Sequence, residues 1–101
     1  MADSIRLRFH PEATDEADAA LGWYLERSVL AAEAFVQEIE HASQRIVEAP
    51  YRWPRVTHHT RRYILPSFPF SVIYRIKGSS IEALAVAHHS RKPNYWMARA
   101  D

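Results

Sequence analysis

The sequence predicts an α+β domain: a strand, an antiparallel helix hairpin, then a three-stranded antiparallel meander, with the helices covering one face of the sheet. Three features predict it. Apolar and basic residues alternate near the start, residues 11–49 place apolar side chains at helical spacing among many carboxylates, and three strand-like runs follow Pro50, separated by proline- and glycine-bearing turns. At 101 residues, 48% hydrophobic and without cysteine, the chain has material for one core, so residues 1–101 are read as a single domain.

In the first strand Ile5, Leu7 and Phe9 alternate with Arg6, Arg8 and His10, the period-2 pattern of a strand with one buried face. Pro11 suits the first turn of a helix, and Glu12, Asp15, Glu16 and Asp18 put negative charge near its positive dipole end. Ala13, Ala17, Ala20, Leu21 and Tyr24 carry that helix to about Arg27, and Ser28 begins a short break. Phe35, Ile39, Ala42 and Ile46 mark a second helix, which ends at Ala49-Pro50. The short connection makes the pair an antiparallel hairpin. Residues 51–55 are too proline-rich and aromatic for a helix or a central strand. Strands are then expected over Arg61–Leu65, Phe70–Ile76 and Ile81–His89, the last two joined by a turn in which Gly78 can adopt a positive φ. The tail from Ser90 to Asp101 has no clear pattern beyond room for a short terminal helix.

Charge divides at Pro50. Residues 1–49 hold ten acidic and four basic side chains, a net −6, and residues 50–101 hold nine basic and two acidic, a net +7. Eleven of the thirteen basic residues are arginine, whose planar fork suits phosphate and carboxylate partners. The absence of cysteine removes thiolate catalysis and Cys-based zinc sites. The paired histidines His58-His59 and His88-His89 lack carboxylates at ligand spacing, so no metal site is expected, and two glycines are too few for a phosphate-cradling loop. Neither a leader nor a membrane span is evident, and a cytoplasmic protein is expected.

Strand parity sorts the side chains. Ile5, Leu7, Phe9, Tyr63, Leu65, Phe70, Val72, Tyr74 and Ile76 are assigned to the helix-covered face, and Arg6, Arg8, Arg62, Ile64, Ser71, Ile73 and Arg75 to the other. The last strand is apolar on both parities, with Leu84 and Val86 on one side and Ala83, Ala85 and Ala87 on the other, as a central strand would be. Arginines are therefore expected on a bare face, near His88, Arg91, Tyr95 and Trp96. Aromatics beside arginines can grip a partner or a base. They can equally cap a small core, and Trp96, Trp23, Tyr24 and Trp53 are read first as core or hairpin-edge residues.

The segments Arg61-Arg62-Tyr63-Ile64-Leu65, Phe68-Pro69-Phe70-Ser71-Val72-Ile73-Tyr74-Arg75 and Ala85-Val86-Ala87-His88-His89-Ser90-Arg91-Lys92-Pro93-Asn94-Tyr95-Trp96 resemble the RelE/ParE toxin family of type II toxin–antitoxin modules, in its ParE-like, plasmid-stabilisation branch. Phe9-His10-Pro11-Glu12-Ala13 and Trp23-Tyr24 extend the resemblance over nearly the whole chain. It implies a toxin held inactive by a cognate antitoxin, without a cofactor. RelE-like members resemble ribosome-dependent mRNA endoribonucleases, whereas ParE-like members poison DNA gyrase. In the nuclease branch an arginine commonly precedes the apolar-apolar-Tyr segment where this chain has Ser71, and the only lysines here are Lys77 and Lys92.

That departure favours a target-binding toxin using Arg6, Arg8, Arg62, Arg75, His88, Arg91, Tyr95 and Trp96. The enzymatic alternative would draw a general base and phosphate clamp from Arg62, Arg75, His88, His89, Arg91 and Tyr95. A third reading is a non-toxic nucleic-acid-binding module. The expected partners are thus an antitoxin and either gyrase or the ribosome with its message, and no membrane.

Overall fold

The computed structural model describes residues 6–100, and for Arg6 the backbone alone; the expected inward placement of Ile5 and outward placement of the Arg6 side chain lie outside the described residues. The element order is β1 (Arg6–Phe9), α1 (Pro11–Leu25), α2 (Val29–Glu48), β2 (Arg61–Ile64), β3 (Phe70–Lys77), β4 (Ser80–His88) and a 3-10 turn over Met97–Ala100. The predicted α+β class holds. The four strands form one sheet in the order β1-β4-β3-β2. β2, β3 and β4 are the expected antiparallel meander. β1 joins it in parallel beside β4, with Arg6 opposite Ser80 and Phe9 opposite Ala83.

Local chemistry sets the helix ends. Pro11 opens α1, and the Glu12 backbone N–H, which has no partner within the helix, donates to His10 Nδ1 at 3.1 Å. Ser28 Oγ does the same for α2, accepting from the Ala31 N–H at 3.1 Å. Both helices turn their small or apolar stripe to the sheet, burying Ala13 and Ala20 from α1 and Ala32, Phe35, Ala42 and Ile46 from α2. Opposite them lie Tyr63, Leu65, Phe70, Val72, Tyr74, Ile81, Ala83 and Val86. Phe35 sits at the centre, its ring 5.3–5.5 Å from those of Tyr24, Phe68 and Phe70. Burying a side chain of this size contributes roughly 1.5–3 kcal/mol. Gly78, at φ +61°, makes the β3–β4 turn.

Two expectations need correction. The pairing of β3 with β4 shifts register between Ile73 and Tyr74: Ile73 faces Ala85 while Tyr74 faces Ala83, so Leu84 is an extra residue on β4. This bulge breaks the simple alternation. Leu84 and Ala85 both join the second apolar cluster, with Ile73 and Ala87, whereas Ala83 and Val86 belong to the helix-facing core. The second face is consequently apolar at its centre, and it is not bare. The tail crosses it, and Trp96, only 3% exposed, seals the patch with Val56, Tyr95 and Ala100 around it. Leaving Ile73 and Leu84 in water would forfeit their transfer free energy, which gives the tail its reason to lie there. Asn94 turns the chain into this path at φ 61°, a conformation asparagine tolerates better than most residues.

Of the two placements expected for Trp23, core or hairpin edge, it takes the edge. Tyr24 packs against Phe35 and Phe68, but Trp23 is 52% exposed and lies under the Arg27 guanidinium, 3.7 Å from the ring centre.

Candidate functional site

Two hollows flank the C-terminal end of β4. The larger, about 490 Å³, lies between α1 and the adjoining ends of β3 and β4; Ala19, Ala20, Trp23, Tyr24, Phe70 and Val86 line it, and Glu16, His88, Arg91 and Tyr95 stand at its polar rim. The smaller, about 350 Å³, opens on the tail-covered side among Arg62, Ile64, Ser71, His89, Lys92 and Trp96, and no carboxylate lines it. His88, Arg91 and Tyr95 border both.

Glu16 organises the wall between them. It sits three residues after Ala13 and four before Ala20, both buried, so the helix turns it inward. Its carboxylate accepts from the Val86 N–H at 3.0 Å, from the Tyr95 hydroxyl at 2.5 Å, and from both terminal nitrogens of Arg99 at 2.9 and 3.1 Å. Arg99 also donates to the Leu84 carbonyl at 3.0 Å. The tail is therefore fastened to α1 and β4 by a partly buried, hydrogen-bonded ion pair. The hydrogen bond to Glu16 pushes the Arg99 pKa up. Neither residue was singled out as a site residue in the sequence. The 13–16–20 spacing could have marked Glu16, whereas Arg99 carries no comparable signal in a tail without periodicity.

Of the sequence-predicted site residues, Arg62, His88, His89, Arg91, Tyr95 and Trp96 all line the smaller hollow, whereas Arg8 and Arg75 lie away from it. Arg8 is exposed on the β1 edge. Arg75 is held by Glu82, with Nε at 2.9 Å and Nη2 at 2.8 Å, and its Nη1 donates to the Ala100 carbonyl. It lies five residues along β3 from Phe70, the partner of His88, which at a strand's rise is ~17 Å. Arg62 is exposed at the smaller hollow. His89 Nε2 meets Ser71 Oγ at 3.0 Å. His88 Nδ1 accepts the Ser90 N–H at 3.0 Å, so a neutral His88 carries its proton on Nε2 and presents a donor to the hollows. Arg91 stacks 3.8 Å over the Tyr95 ring and approaches Glu16 at 3.9 Å. Trp96 is buried and offers no exposed ring.

Tyr95 is protonated at neutral pH, since burial, reinforced by its hydrogen bond to the Glu16 carboxylate, pushes its pKa up to about 12. Burial also raises that of Tyr74 to about 12, against the nearby charge of Arg61; its hydroxyl donates to the Pro50 carbonyl at 2.6 Å. Both folded-state values lie above the ordinary tyrosine value of 10.0. The unfolded chain therefore releases these protons first, and stability that is complete below pH ~10 falls as pH rises towards ~12. Urea midpoints measured between pH 9 and 12 are expected to fall over the upper part of that range, and Tyr74→Phe and Tyr95→Phe should each flatten the decline.

Among the described residues no group of three or more His, Asp or Glu side chains is arranged to hold a metal ion, and no helix is long and apolar enough to cross a membrane. A family model described as "ParE toxin of type II toxin-antitoxin system, parDE" matches residues 7–93. Among solved structures, one titled "Chromosomal ParDE TA system from P. aeruginosa" is similar to this chain, with a TM-score of 0.73 at 22% identity, covering 84% of this chain and 96% of that one. At that identity the likeness speaks for the fold alone. Comparison with curated proteins finds no match.

Proposed function

Because this chain belongs to the ParE toxin family of type II toxin–antitoxin systems, we propose that it is neutralised by a cognate antitoxin and acts by binding DNA gyrase, not by cutting RNA. The expected bare arginine face is absent, so it lends the reading no support. Five of the six candidates for RNA cleavage, Arg62, His88, His89, Arg91 and Tyr95, line the smaller hollow; what carries the reading is that the sixth lies elsewhere and that key members of the five are engaged in other bonds. Arg75 is tied to Glu82 and the tail ~17 Å from His88, His88 presents a donor where a general base needs a lone pair, and Tyr95 is engaged with Glu16. Ser71, at the position of the nuclease-branch arginine, holds His89.

The larger hollow suits the antitoxin. Its apolar walls and cationic Arg91 rim fit an amphipathic segment carrying a carboxylate, a recurring mode of peptide recognition. Purified protein added to gyrase and relaxed plasmid is expected to block supercoiling, and the cognate antitoxin to restore it, while message from induced cells stays intact. Normal supercoiling at toxin excess would remove gyrase as the target. Discrete new 5′ ends in message would replace the reading with RNA cleavage.

A further inference from the structure

We propose that the β2 edge, with the segment that folds back along it, is a contact surface for the phosphate backbone of duplex DNA. Residues 54–56 run beside β2: the Arg62 N–H donates to the Pro54 carbonyl at 3.0 Å, the Val56 N–H to the Thr60 carbonyl at 2.9 Å, and Arg55 bridges Arg61. The sheet edge is thus shielded by its own chain, which weakens it as a template for an added strand. It presents side chains instead. Arg61 stiffens the segment from within, donating to the Tyr51 and Trp53 carbonyls at 2.9 and 2.8 Å, while Arg52, Arg55, His58, His59 and Arg62 are exposed.

Among the described residues Arg27, Arg75, Arg91 and Arg99 each have a glutamate within 4.0 Å, whereas Arg8, Arg45, Arg52, Arg55, Arg61 and Arg62 have no carboxylate partner, and four of those six, Arg52, Arg55, Arg61 and Arg62, belong to β2 and the segment before it. Around β2 no carboxylate is near in sequence, since no acidic residue occurs between Glu48 and Glu82. At Arg62 the strip continues into the smaller hollow, where His89 and Lys92 add to it. Uncompensated guanidinium groups held on a stiff edge are the electrostatic footprint of a polyanion.

Duplex DNA fits better than other polyanions. A protein partner would seek an apolar centre, and among the exposed large hydrophobics Ile64 alone belongs to β2. A single strand would seek open aromatic faces. The strip offers one open tyrosine or tryptophan ring, Tyr51 at 69% exposed with Arg61 5.5 Å from its centre, too few for a run of stacked bases, and Trp53 packs edge-on against Tyr63 at 4.7 Å, with Arg52 over its ring at 5.0 Å. Backbone contacts carry no base readout, so the binding is independent of sequence.

The inference is independent of gyrase, and its test contains none. Anisotropy of a labelled duplex of arbitrary sequence, titrated with the full-length chain across a range of salt concentrations, should give a log–log slope near −3 for about three neutralised phosphates. Arg55→Gln and Arg62→Gln should each weaken binding several-fold and reduce that slope by about one. Arg27→Gln removes the same charge from the helix hairpin and should leave binding unchanged. All three positions are exposed, and circular dichroism checks that each variant folds. The proposal is overturned by a flat salt dependence, by an equal loss in Arg27→Gln, or by tighter binding of a single-stranded oligonucleotide than of the duplex.

Discussion

Glu16→Ala is expected to lower the unfolding free energy by about 3–5 kcal/mol, the usual cost of removing one partner from a buried ion pair. Side-chain exposure is 16% for Glu16 and 10% for Arg99, so water cannot replace the lost carboxylate at little cost. The substitution leaves the Arg99 guanidinium with the Leu84 carbonyl and a distant Glu12 at 3.7 Å, and strips an acceptor from Tyr95 and from the Val86 N–H. Against a typical total of about 5–15 kcal/mol, that is enough to leave some of the chain unfolded at body temperature. Glu16→Gln retains acceptor oxygen without charge and should lose less. Glu16→Ala combined with Arg99→Met, which removes the stranded charge, should recover part of the deficit. Urea denaturation measures all three. A loss below about 1 kcal/mol in Glu16→Ala, the range of a surface ion pair, would show that the pair does not fasten the tail.

Trp96→Ala should cost a similar amount, about 3–5 kcal/mol, for a different reason. The indole, 3% exposed, covers Ile73, Leu84, Ala85 and Ala87, and the helices on the opposite face cannot close over the space it leaves. Truncation therefore both creates a void and wets the patch. Trp96→Phe keeps most of the cover and should cost less. Binding of a hydrophobic dye to folded Trp96→Ala, absent in the parent, would report the opened face; unchanged urea stability would mean that the tail does not hold this side of the sheet.

The elements that were legible in the sequence are those whose pattern is local. Phe35, Ile39, Ala42 and Ile46 give α2, and Pro11 gives the start of α1, because periodicity and helix-start chemistry act within a few residues. The outward side of β3 also follows from its alternation, and Ser71, Ile73 and Arg75 lie there as expected. The parallel pairing of β1 with β4 leaves no such trace, since Arg6 and Ser80 are brought together only by the whole topology. Leu84 is the clearest failure of parity: a bulge has no dependable local code, and one extra residue moved it to the face opposite Val86. The covered second face was missed for a related reason. Pro93, Asn94 and a single 3-10 turn show no period, so the destination of Trp96 depends on an apolar patch that the bulge itself helps to build. The candidate site suffered most, because Arg75 looked available until Glu82 and Ala100 were seen to hold it.

The bonds from Glu16 to Arg99 join positions 83 residues apart. During translation the early helix leaves the ribosome long before its basic counterpart has been synthesised, and the exit tunnel keeps the newest residues from docking. The closing ties of the domain thus form only after synthesis has passed Arg99. The helix hairpin and the meander can therefore fold before the two ends of the domain are tied together.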